Sequence, residues 1–324
     1  MKKLAIVTGG AGFIGSHLVD RLLIEGWSVE VIDDLSTGSK ANVNPKAKLH
    51  MLDIRNPNAA DLIRKKKPQV VFHLAAQASV SVSVKDPIRD AETNLHATLA
   101  LLEAASETKV KRFVFAGTGG ALSSEHVRVP TDEEHAAEPA SPYAIAKVAS
   151  EYYGAFYRLA KKLPFISLRL ANVYGPRQNP HGEAGVIAIF TKRMLKGEPV
   201  KINGSGQQTR DYIYVEDIIE AFMASIRHKD AIGPFHIGTG RETSVNDLFK
   251  KLADLTGYNR KPGKGPADIG APTRSALKSK KAYKELGWSA LTPLDEGLWL
   301  TVDWFKRMQT VQTQNTFPKS GKRK

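Results

Sequence analysis

Tyr143 and Lys147 stand four residues apart in Tyr143-Ala144-Ile145-Ala146-Lys147, so a phenol and an ammonium share one face of a helix. A tyrosine with an unperturbed pKa of about 10 is a poor base near neutrality. A neighbouring ammonium favours the phenolate and is expected to lower that value, which makes the pair a candidate for taking a proton from an alcohol as it is oxidised. Ser141-Pro142 just before it reads as a helix start. The spacing alone is common by chance. It gains weight from a hydroxyl at the end of the preceding strand, in Phe115-Ala116-Gly117-Thr118-Gly119-Gly120. Thr118 is placed to hydrogen-bond a substrate oxygen as charge develops there.

Such an oxidation needs an acceptor, and the N-terminal residues offer a place for one. Thr8-Gly9-Gly10-Ala11-Gly12-Phe13-Ile14-Gly15 follows an apolar run and opens a helical pattern. Glycines 10, 12 and 15 spell G-x-G-x-x-G, and glycines 9, 12 and 15 spell G-x-x-G-x-x-G. The first glycine allows a tight turn. Gly12 lets backbone N–H groups at Phe13 and Ile14 approach a pyrophosphate at the positive end of the helix, and Gly15 lets helix and strand pack closely. Asp33, at the end of the next strand, is placed to accept hydrogen bonds from the adenosine ribose hydroxyls. Its charge, reinforced by Asp34, would repel a 2′-phosphate, so NAD is expected rather than NADP. Asp53 and Ile54 at the following strand end could bracket the adenine, and the small residues of Leu74-Ala75-Ala76 would let ribose and pyrophosphate lie close. Asn94 sits within a long helix, where a buried amide needs a partner; cofactor contact and structural hydrogen bonding are equally open for it.

These groups require a scaffold of alternating strands and helices. Leu4 to Thr8, Ser28 to Asp33, Lys48 to Leu52, Gln69 to Ala75, Arg112 to Ala116 and Pro164 to Leu170 are short apolar runs that read as buried strands. Helical patterns lie between them at Gly12 to Glu25, Asn58 to Lys66, Ile88 to Thr108 and Ser141 to Lys161. The expected fold is α/β: a Rossmann, doubly wound parallel sheet over residues 1–171, with a smaller C-terminal α/β substrate domain over 172–310, interleaved with the first. Residues 311–324 read as a basic, flexible tail. Helices are expected near Val186 to Lys196, Val215 to Arg227, Ser244 to Thr256 and Pro293 to Met308, with a strand at Phe235 to Ile237.

Composition narrows the function classes. The chain has 324 residues, 25% of them charged, and no cysteine, which excludes disulfides, thiolate metal sites and a cysteine nucleophile. Histidines are scattered without metal-ligand spacing, so no metal is expected. No apolar run approaches the roughly 18 residues that span a bilayer, so no membrane is expected. The basic and apolar N-terminus reaches glycines at once without a cleavage signal, and reads as the first strand of a cytoplasmic protein. The net charge of +14 invites a nucleic-acid reading. However, six basic residues and no acidic one fall between Trp304 and Lys324, and Arg64-Lys65-Lys66-Lys67 fits the C-terminal turn of a helix. Nucleic acid is therefore not the expected partner.

Taken with these motifs, the sequence resembles the extended short-chain dehydrogenases/reductases, and most of all the UDP-glucose 4-epimerase type of nucleotide-sugar epimerase. The resemblance runs from about residue 1 to 310. It is carried by Thr8 to Gly15, His73-Leu74-Ala75-Ala76-Gln77, Thr118, Tyr143 with Lys147, Asn172-Val173-Tyr174-Gly175-Pro176-Arg177 and Thr209-Arg210-Asp211-Tyr212-Ile213-Tyr214-Val215-Glu216-Asp217. It implies tightly held NAD, a nucleotide-sugar substrate and a homodimer built from two helices of each subunit. It also implies that Tyr143 takes the O4 proton while hydride leaves C4, that Lys147 holds the nicotinamide ribose, that Asn172 and Arg210 grip the diphosphate, and that Val186 and Ile187 lie near the uridine.

Several residues depart from the family pattern. Gly117 stands where a Ser is usual, and Ser123-Ser124 replace a usual Tyr-Gly. Asp268 and Ala271 fall where an Arg and an acid usually grip the nucleotide. A carboxylate about 5 Å from a phosphate would cost on the order of 3 kcal/mol at an effective dielectric of 20. Arg260, Lys261, Lys264 or Arg274 would then have to substitute, with Arg274 the first candidate. Ser275 aligns with the position that gates access for N-acetylated sugars; an exposed loop serine is the alternative. Thr118 is not followed by the Asp-Glu of 4,6-dehydratases, nor by the nearby Glu common in decarboxylase relatives, which favours epimerisation; another nucleotide-sugar enzyme of the same fold, a reductase, dehydratase or decarboxylase, is the alternative. A catalytically silent NAD-binding protein, or a nucleic-acid binder using the tail, is the reading from a different class.

Overall fold

The computed structural model describes residues 3–119, 128–180, 185–266 and 273–316, the last six without side chains. Ser123, Ser124, Asp268 and Ala271 lie outside the described residues. The first half of the chain alternates β1 (Leu4–Thr8), α1 (Phe13–Ile24), β2 (Ser28–Asp33), β3 (Lys48–Met51), α2 (Pro57–Lys66) and β4 (Val70–His73). It continues with α3 (Val80–Lys85), α4 (Pro87–Ala91), a π-helical turn (Glu92–His96), α5 (Ala97–Glu107), β5 (Arg112–Thr118), α6 (Pro142–Lys161) and β6 (Phe165–Leu170). Then come β7 (Asn172–Tyr174), α7 (Val186–Leu195), β8 (Lys201–Asn203), β9 (Thr209–Arg210), β10 (Tyr212–Tyr214), α8 (Val215–Arg227) and β11 (Gly233–Ile237). The chain ends with β12 (Thr243–Ser244), α9 (Val245–Thr256), β13 (Gly263–Gly265), α10 (Lys280–Leu286) and α11 (Leu294–Thr316).

Seven strands form one sheet in the order β3-β2-β1-β4-β5-β6-β11, every neighbouring pair parallel. This is the expected doubly wound arrangement, with the order reversing between β1 and β4, where a crevice opens at the carboxyl ends of the strands. Helices cover both faces, which is why the strands read as unbroken apolar runs rather than alternating ones. Leu18 and Val19 of α1 and Phe222 of α8 pack on one face with Val7 and Phe72. Ile63, Leu101 and Tyr157, from α2, α5 and α6, pack on the other with Ile6, Phe113 and Phe115. The chain leaves the sheet after β6 and returns to it with α8 and β11. Three two-stranded pieces, β7 with β10, β8 with β13 and β9 with β12, build the smaller layer.

Helix ends follow local chemistry. The Ser141 hydroxyl accepts the Ala144 N–H at the start of α6, with Pro142 in the first turn, where its missing N–H costs nothing. Ser244 caps α9 in the same way through the Asp247 N–H at 3.0 Å. Arg64, Lys65 and Lys66 fill the last turn of α2. There Lys66 binds Glu30 at 2.7 Å and Arg64 binds Glu107 at 2.6 Å, so this basic cluster serves a helix end.

Two elements differ from the sequence reading. The helix expected over Ile88 to Thr108 runs without interruption from Pro87 to Glu107 but carries a π turn at Glu92–His96, from which Asn94 donates to the Gln77 carbonyl of the loop after β4. Helix α11 runs on to Thr316, six residues into the segment expected to be tail.

The buried Arg112 guanidinium at the start of β5 ties the sheet to the end of α8. It donates to the carbonyl oxygens of Ser225, Lys229, Ala231 and His228 at 2.8–3.3 Å. Removing it leaves those acceptors without their donor, so Arg112→Met is expected to lower unfolding stability by about 4 kcal/mol. Urea denaturation measures this; an unchanged midpoint would mean that the clamp contributes nothing.

Candidate active site

The turn between β1 and α1 is shaped by what its glycines leave out. Gly9 has φ of +71°, and a Cβ there would lie 2.7 Å from the Ala75 nitrogen. A Cβ on Gly15 would lie 2.1 Å from the Gly9 carbonyl oxygen, so α1 can approach the turn only with glycine at 15. Gly12 occupies the N-cap and offers no side chain to the first-turn N–H groups, leaving those of Phe13 and Ile14 open to an anion. Asp33 closes the far side. Its Oδ2 accepts the Ala11 N–H and its Oδ1 the Leu35 N–H, each at 2.9 Å. Burial pushes its pKa up, these two bonds oppose that, and Asp34 adds to the rise. An uncapped helix start, a cradle that any Cβ would fill and an anchored acid at the strand end together fit a dinucleotide.

The other expected cofactor residues are spread around this turn. Asp53 is held by Arg55 at 2.6 Å, and that hydrogen bond is the main reason its pKa is lowered. Ile54 is buried in the core. Asn94 is saturated from within: its Oδ1 accepts the Gln77 N–H at 3.0 Å, and its Nδ2 donates to the Gln77 carbonyl at 2.9 Å and to Asp90 Oδ1 at 2.8 Å. Asn94 therefore braces the loop that follows Leu74, Ala75 and Ala76.

A buried hydrogen-bond chain crosses from that loop to the opposite helix layer. The Thr8 hydroxyl accepts the Ala75 N–H at 3.1 Å and donates to His73 Nδ1 at 2.7 Å. His73 Nε2 donates to the Thr98 hydroxyl at 2.9 Å, which donates to the Asn94 carbonyl at 2.8 Å. The carbonyl end of the chain fixes the direction of each bond and hence the neutral Nε2–H tautomer. Burial, helped by the charge of Lys147, pushes the His73 pKa down to about 3.

Thr118 ends β5, and Tyr143 and Lys147 lie on the first turns of α6. The Thr118 hydroxyl lies close enough to the Tyr143 phenol to favour its ionised form. Lys147, only 3% exposed, donates from Nζ to the Ala116 carbonyl at 3.0 Å and sits 4.6 Å from the Phe115 ring and 6.0 Å from that of Tyr143. The expected lowering of the Tyr143 pKa is absent in the protein alone. Burial, with Asp90 adding to it, pushes Tyr143 up to about 12 against the opposing influence of Thr118. Lys147 meanwhile is pushed down to about 8 by burial, with Glu151 and Asp90 resisting. Desolvation sets the direction of the Tyr143 shift.

Around these groups stand residues that pattern reading passed over. Glu151, one turn beyond Lys147, takes two hydrogen bonds from Arg169 Nε, at 3.1 and 3.0 Å, and one from Nη2 at 2.6 Å. It also accepts the Ser167 hydroxyl at 2.6 Å. A Cβ on Gly117 would lie 2.6 Å from that hydroxyl. The space that the family usually gives to a serine at 117 is thus filled from β6 by Ser167. The signal was present as Lys147 and Glu151 at i and i+4, but only the sheet brings Arg169 to them.

The expected substrate residues gather on the smaller layer. Asn172 opens β7, exposed, with its N–H bound to the Asp211 carbonyl at 2.9 Å. Arg210 donates from Nη1 to the Thr209 carbonyl at 2.8 Å. Val186 stays partly exposed at the start of α7, whereas Ile187 turns into the core at 1% exposure. Arg274 is exposed and paired with Glu242, its Nε lying 2.9 Å from Oε1, and Glu242 also accepts the Thr209 hydroxyl. Ser275 is 3% exposed, so the alternative of an exposed loop serine does not hold. Two residues on, Leu277 fills the space beside Gly119, where a Cβ would come within 2.4 Å of its Cδ1. Asp211 holds this segment by accepting N–H groups from Thr239, Gly240 and Leu277.

The family model for the NAD dependent epimerase/dehydratase family matches residues 5–238. The chain belongs to that family. It is 42% identical over 306 residues to the UDP-glucose 4-epimerase of Mycolicibacterium smegmatis, covering 93% of this chain and 98% of that one. Among solved structures, UDP-glucose 4-epimerase from Thermotoga maritima with UDP-glucose superposes with a TM-score of 0.92 at 46% identity, covering 94% of this chain and 99% of the other. The Thermus thermophilus UDP-glucose 4-epimerase complexed with NAD gives 0.86 at 40% identity over the same shares. In this epimerase-family chain, no helix among the described residues is long and apolar enough to cross a membrane.

His73 supplies a test of the buried chain. Its native pKa of about 3 lies below the unfolded value of 6.5, so its contribution to stability is complete above pH 6.5 and is lost as pH falls toward 3. His73→Gln removes that dependence. The stability gap between wild type and variant is expected to close by about 1.4 kcal/mol per pH unit between pH 6 and 4. Denaturant titration across that range checks it, and a gap constant with pH would contradict a neutral buried His73.

Proposed function

We propose that this chain epimerises C4 of a nucleotide sugar, UDP-glucose and UDP-galactose or their N-acetylated counterparts, through a transient 4-keto sugar. The observation that carries the reading is the buried Lys147 ammonium, bound to the Ala116 carbonyl of β5 and 6.0 Å from the Tyr143 ring, at the same sheet edge as an uncapped helix start suited to a dinucleotide. When bound, NAD supplies a hydride acceptor that later returns the hydride, together with the positive charge that would favour the Tyr143 phenolate. Tyr143 takes the O4 proton and gives it back on the reverse step. Thr118 holds the oxygen as charge develops, and Lys147 orients the nicotinamide ribose. Gly9, Gly12, Phe13, Ile14 and Gly15 receive the pyrophosphate, Asp33 the adenosine ribose, and Asp53 and Ile54 flank the adenine. Leu74, Ala75 and Ala76 give the close approach, with Asn94 bracing them from behind.

On the substrate side, Asn172 and Arg210 grip the diphosphate and Val186 faces the uridine, with Ile187 setting that turn from the core. Arg274 joins the grip by leaving Glu242. The keto sugar must turn over between hydride steps, so the nucleotide is held firmly and the sugar loosely. Leu277 packed on Gly119 supports epimerisation over dehydration, because an acidic side chain at 119 has no room in this arrangement. Buried Ser275 lines the sugar pocket and admits N-acetylated sugars.

A homodimer belongs to the same reading. Ile145, Tyr152, Phe156 and Leu159 form an exposed apolar stripe along α6, between 52% and 73% exposed, at spacings that keep them on one face. A second copy of α6 covers it. Phe156→Asp is expected to convert the dimer to monomer on size-exclusion chromatography with light scattering; an unaltered mass would contradict this interface.

Proton NMR of the anomeric signals, with UDP-glucose, UDP-galactose and the N-acetylated pair and no added cofactor, tests the activity. Interconversion of a pair is expected, and no interconversion overturns the UDP-sugar reading. Tyr143→Phe is expected to lower kcat about 10³-fold with NAD still bound. Thr118→Val should cost about 10²-fold. Ser275→Tyr should abolish turnover of the acetylated pair alone.

A further inference from the structure

Thr118 stands beyond the point where β5 parts from β4. Pairing with β4 stops at Phe115, whereas pairing with β6 continues through Thr118, and the Gly119 N–H then reaches the Leu170 carbonyl at 3.0 Å. The last residues of β5 are thus held by the sheet along one edge. A second support comes from the chain segment after β13. Leu277, 2% exposed, lays its side chain against Gly119, where a Cβ would lie 2.4 Å from Cδ1, 2.7 Å from Cδ2 and 3.1 Å from Cγ. Contact this close means that cutting Leu277 back leaves a gap beside Gly119, the residue next to Thr118.

Leu277 is itself fixed from two sides. Its N–H donates to Asp211 Oδ2 at 3.2 Å, and the same oxygen accepts the Gly240 N–H at 3.0 Å. Asp211 Oδ1 takes the N–H and the hydroxyl of Thr239, at 3.0 and 2.5 Å. From the other side Thr131, between β5 and α6, donates its N–H to the Ala276 carbonyl at 2.9 Å and accepts the Lys278 N–H at 2.8 Å. Residues 276–278 are therefore clamped through their own backbone, and the Leu277 side chain meets Gly119 from a fixed base.

We propose that Leu277 is a positioning residue for the reaction: packed on Gly119, it holds the end of β5 so that the Thr118 hydroxyl stays in reach of the reacting oxygen. The inference rests on the role given above to Thr118. Because Leu277 hangs from Asp211, the neighbour of Arg210, the layer that grips the nucleotide also fixes the strand end where the chemistry occurs. A small misplacement there is costly, since a hydrogen bond to developing charge depends steeply on geometry. A leucine that merely filled space would weaken the enzyme whether or not Thr118 kept its hydroxyl. One that acts through Thr118 has nothing left to position once that hydroxyl is gone.

The test is a double-mutant cycle on steady-state epimerisation of UDP-galactose, with NAD-loaded wild type, Leu277→Ala, Thr118→Val and the double variant. Leu277→Ala is expected to lower kcat about tenfold, with KM and NAD content unchanged. In the Thr118→Val background the same substitution is expected to change kcat by about twofold or less. Wild-type kcat in Leu277→Ala, or a tenfold loss that persists in Thr118→Val, overturns this inference and leaves the catalytic reading intact. A Thr118→Val enzyme as active as wild type removes the role of Thr118 and this inference with it. Should Leu277→Ala fail to fold, Leu277→Val, which keeps a branched side chain but shortens its reach to Gly119, carries the same expectation.

Discussion

A lysine ammonium taken almost wholly out of water is the constraint around which the site is arranged. Burying such a charge is costly unless other groups replace its hydration. Lys147 finds a carbonyl at Ala116 and the face of Phe115, both on β5. Glu151 adds negative charge one turn further along α6 and is itself neutralised by Arg169 from β6. Helix α6 is therefore locked onto the ends of two neighbouring strands by one chain of charges. That lock sets where Tyr143 lies relative to the end of β5. It also explains the glycine at 117, since the space beside the strand is already taken by Ser167 and Glu151.

The other half of the site depends on exclusion rather than attraction. At the crossover between β1 and β4, the backbone of Gly9 must lie against Ala75, and α1 must lie against Gly9; neither approach tolerates a Cβ. The Thr8–His73–Thr98 chain links this crossover to the π turn and so to the loop braced by Asn94. The two halves meet electrically at His73, kept neutral by burial and by the charge of Lys147. A site built this way is braced from within the protein, and burial favours the protonated phenol.

Most of the sheet was legible because fully buried strands and amphipathic helices leave strong local patterns. Leu4–Thr8 and Ser28–Asp33 read cleanly, and the glycines of the first turn announce their own packing. The π turn at Glu92–His96 was not legible, because no local pattern records it or the tertiary bond that Asn94 makes there to the Gln77 backbone. Tyr143 and Lys147 were legible as a pair, but the direction of the phenol's pKa was not. Spacing reveals a neighbour's charge and conceals the desolvation that raises the phenol. Asp90, Glu151 and Arg169 escaped for the same reason: their roles arise from contacts between elements. Gly117 looked like a loss from the pattern until Ser167 was seen filling its place.

The central claim is that hydride leaves C4 and returns to the same carbon while Tyr143 handles only the hydroxyl proton. Incubating the purified enzyme in ordinary water with a nucleotide sugar deuterated at C4, and following the epimeric product by NMR, tests this most directly. The account predicts full retention of deuterium at C4 in the product. Washout of the label into solvent would contradict it, because the C4 hydrogen would then have left as a proton.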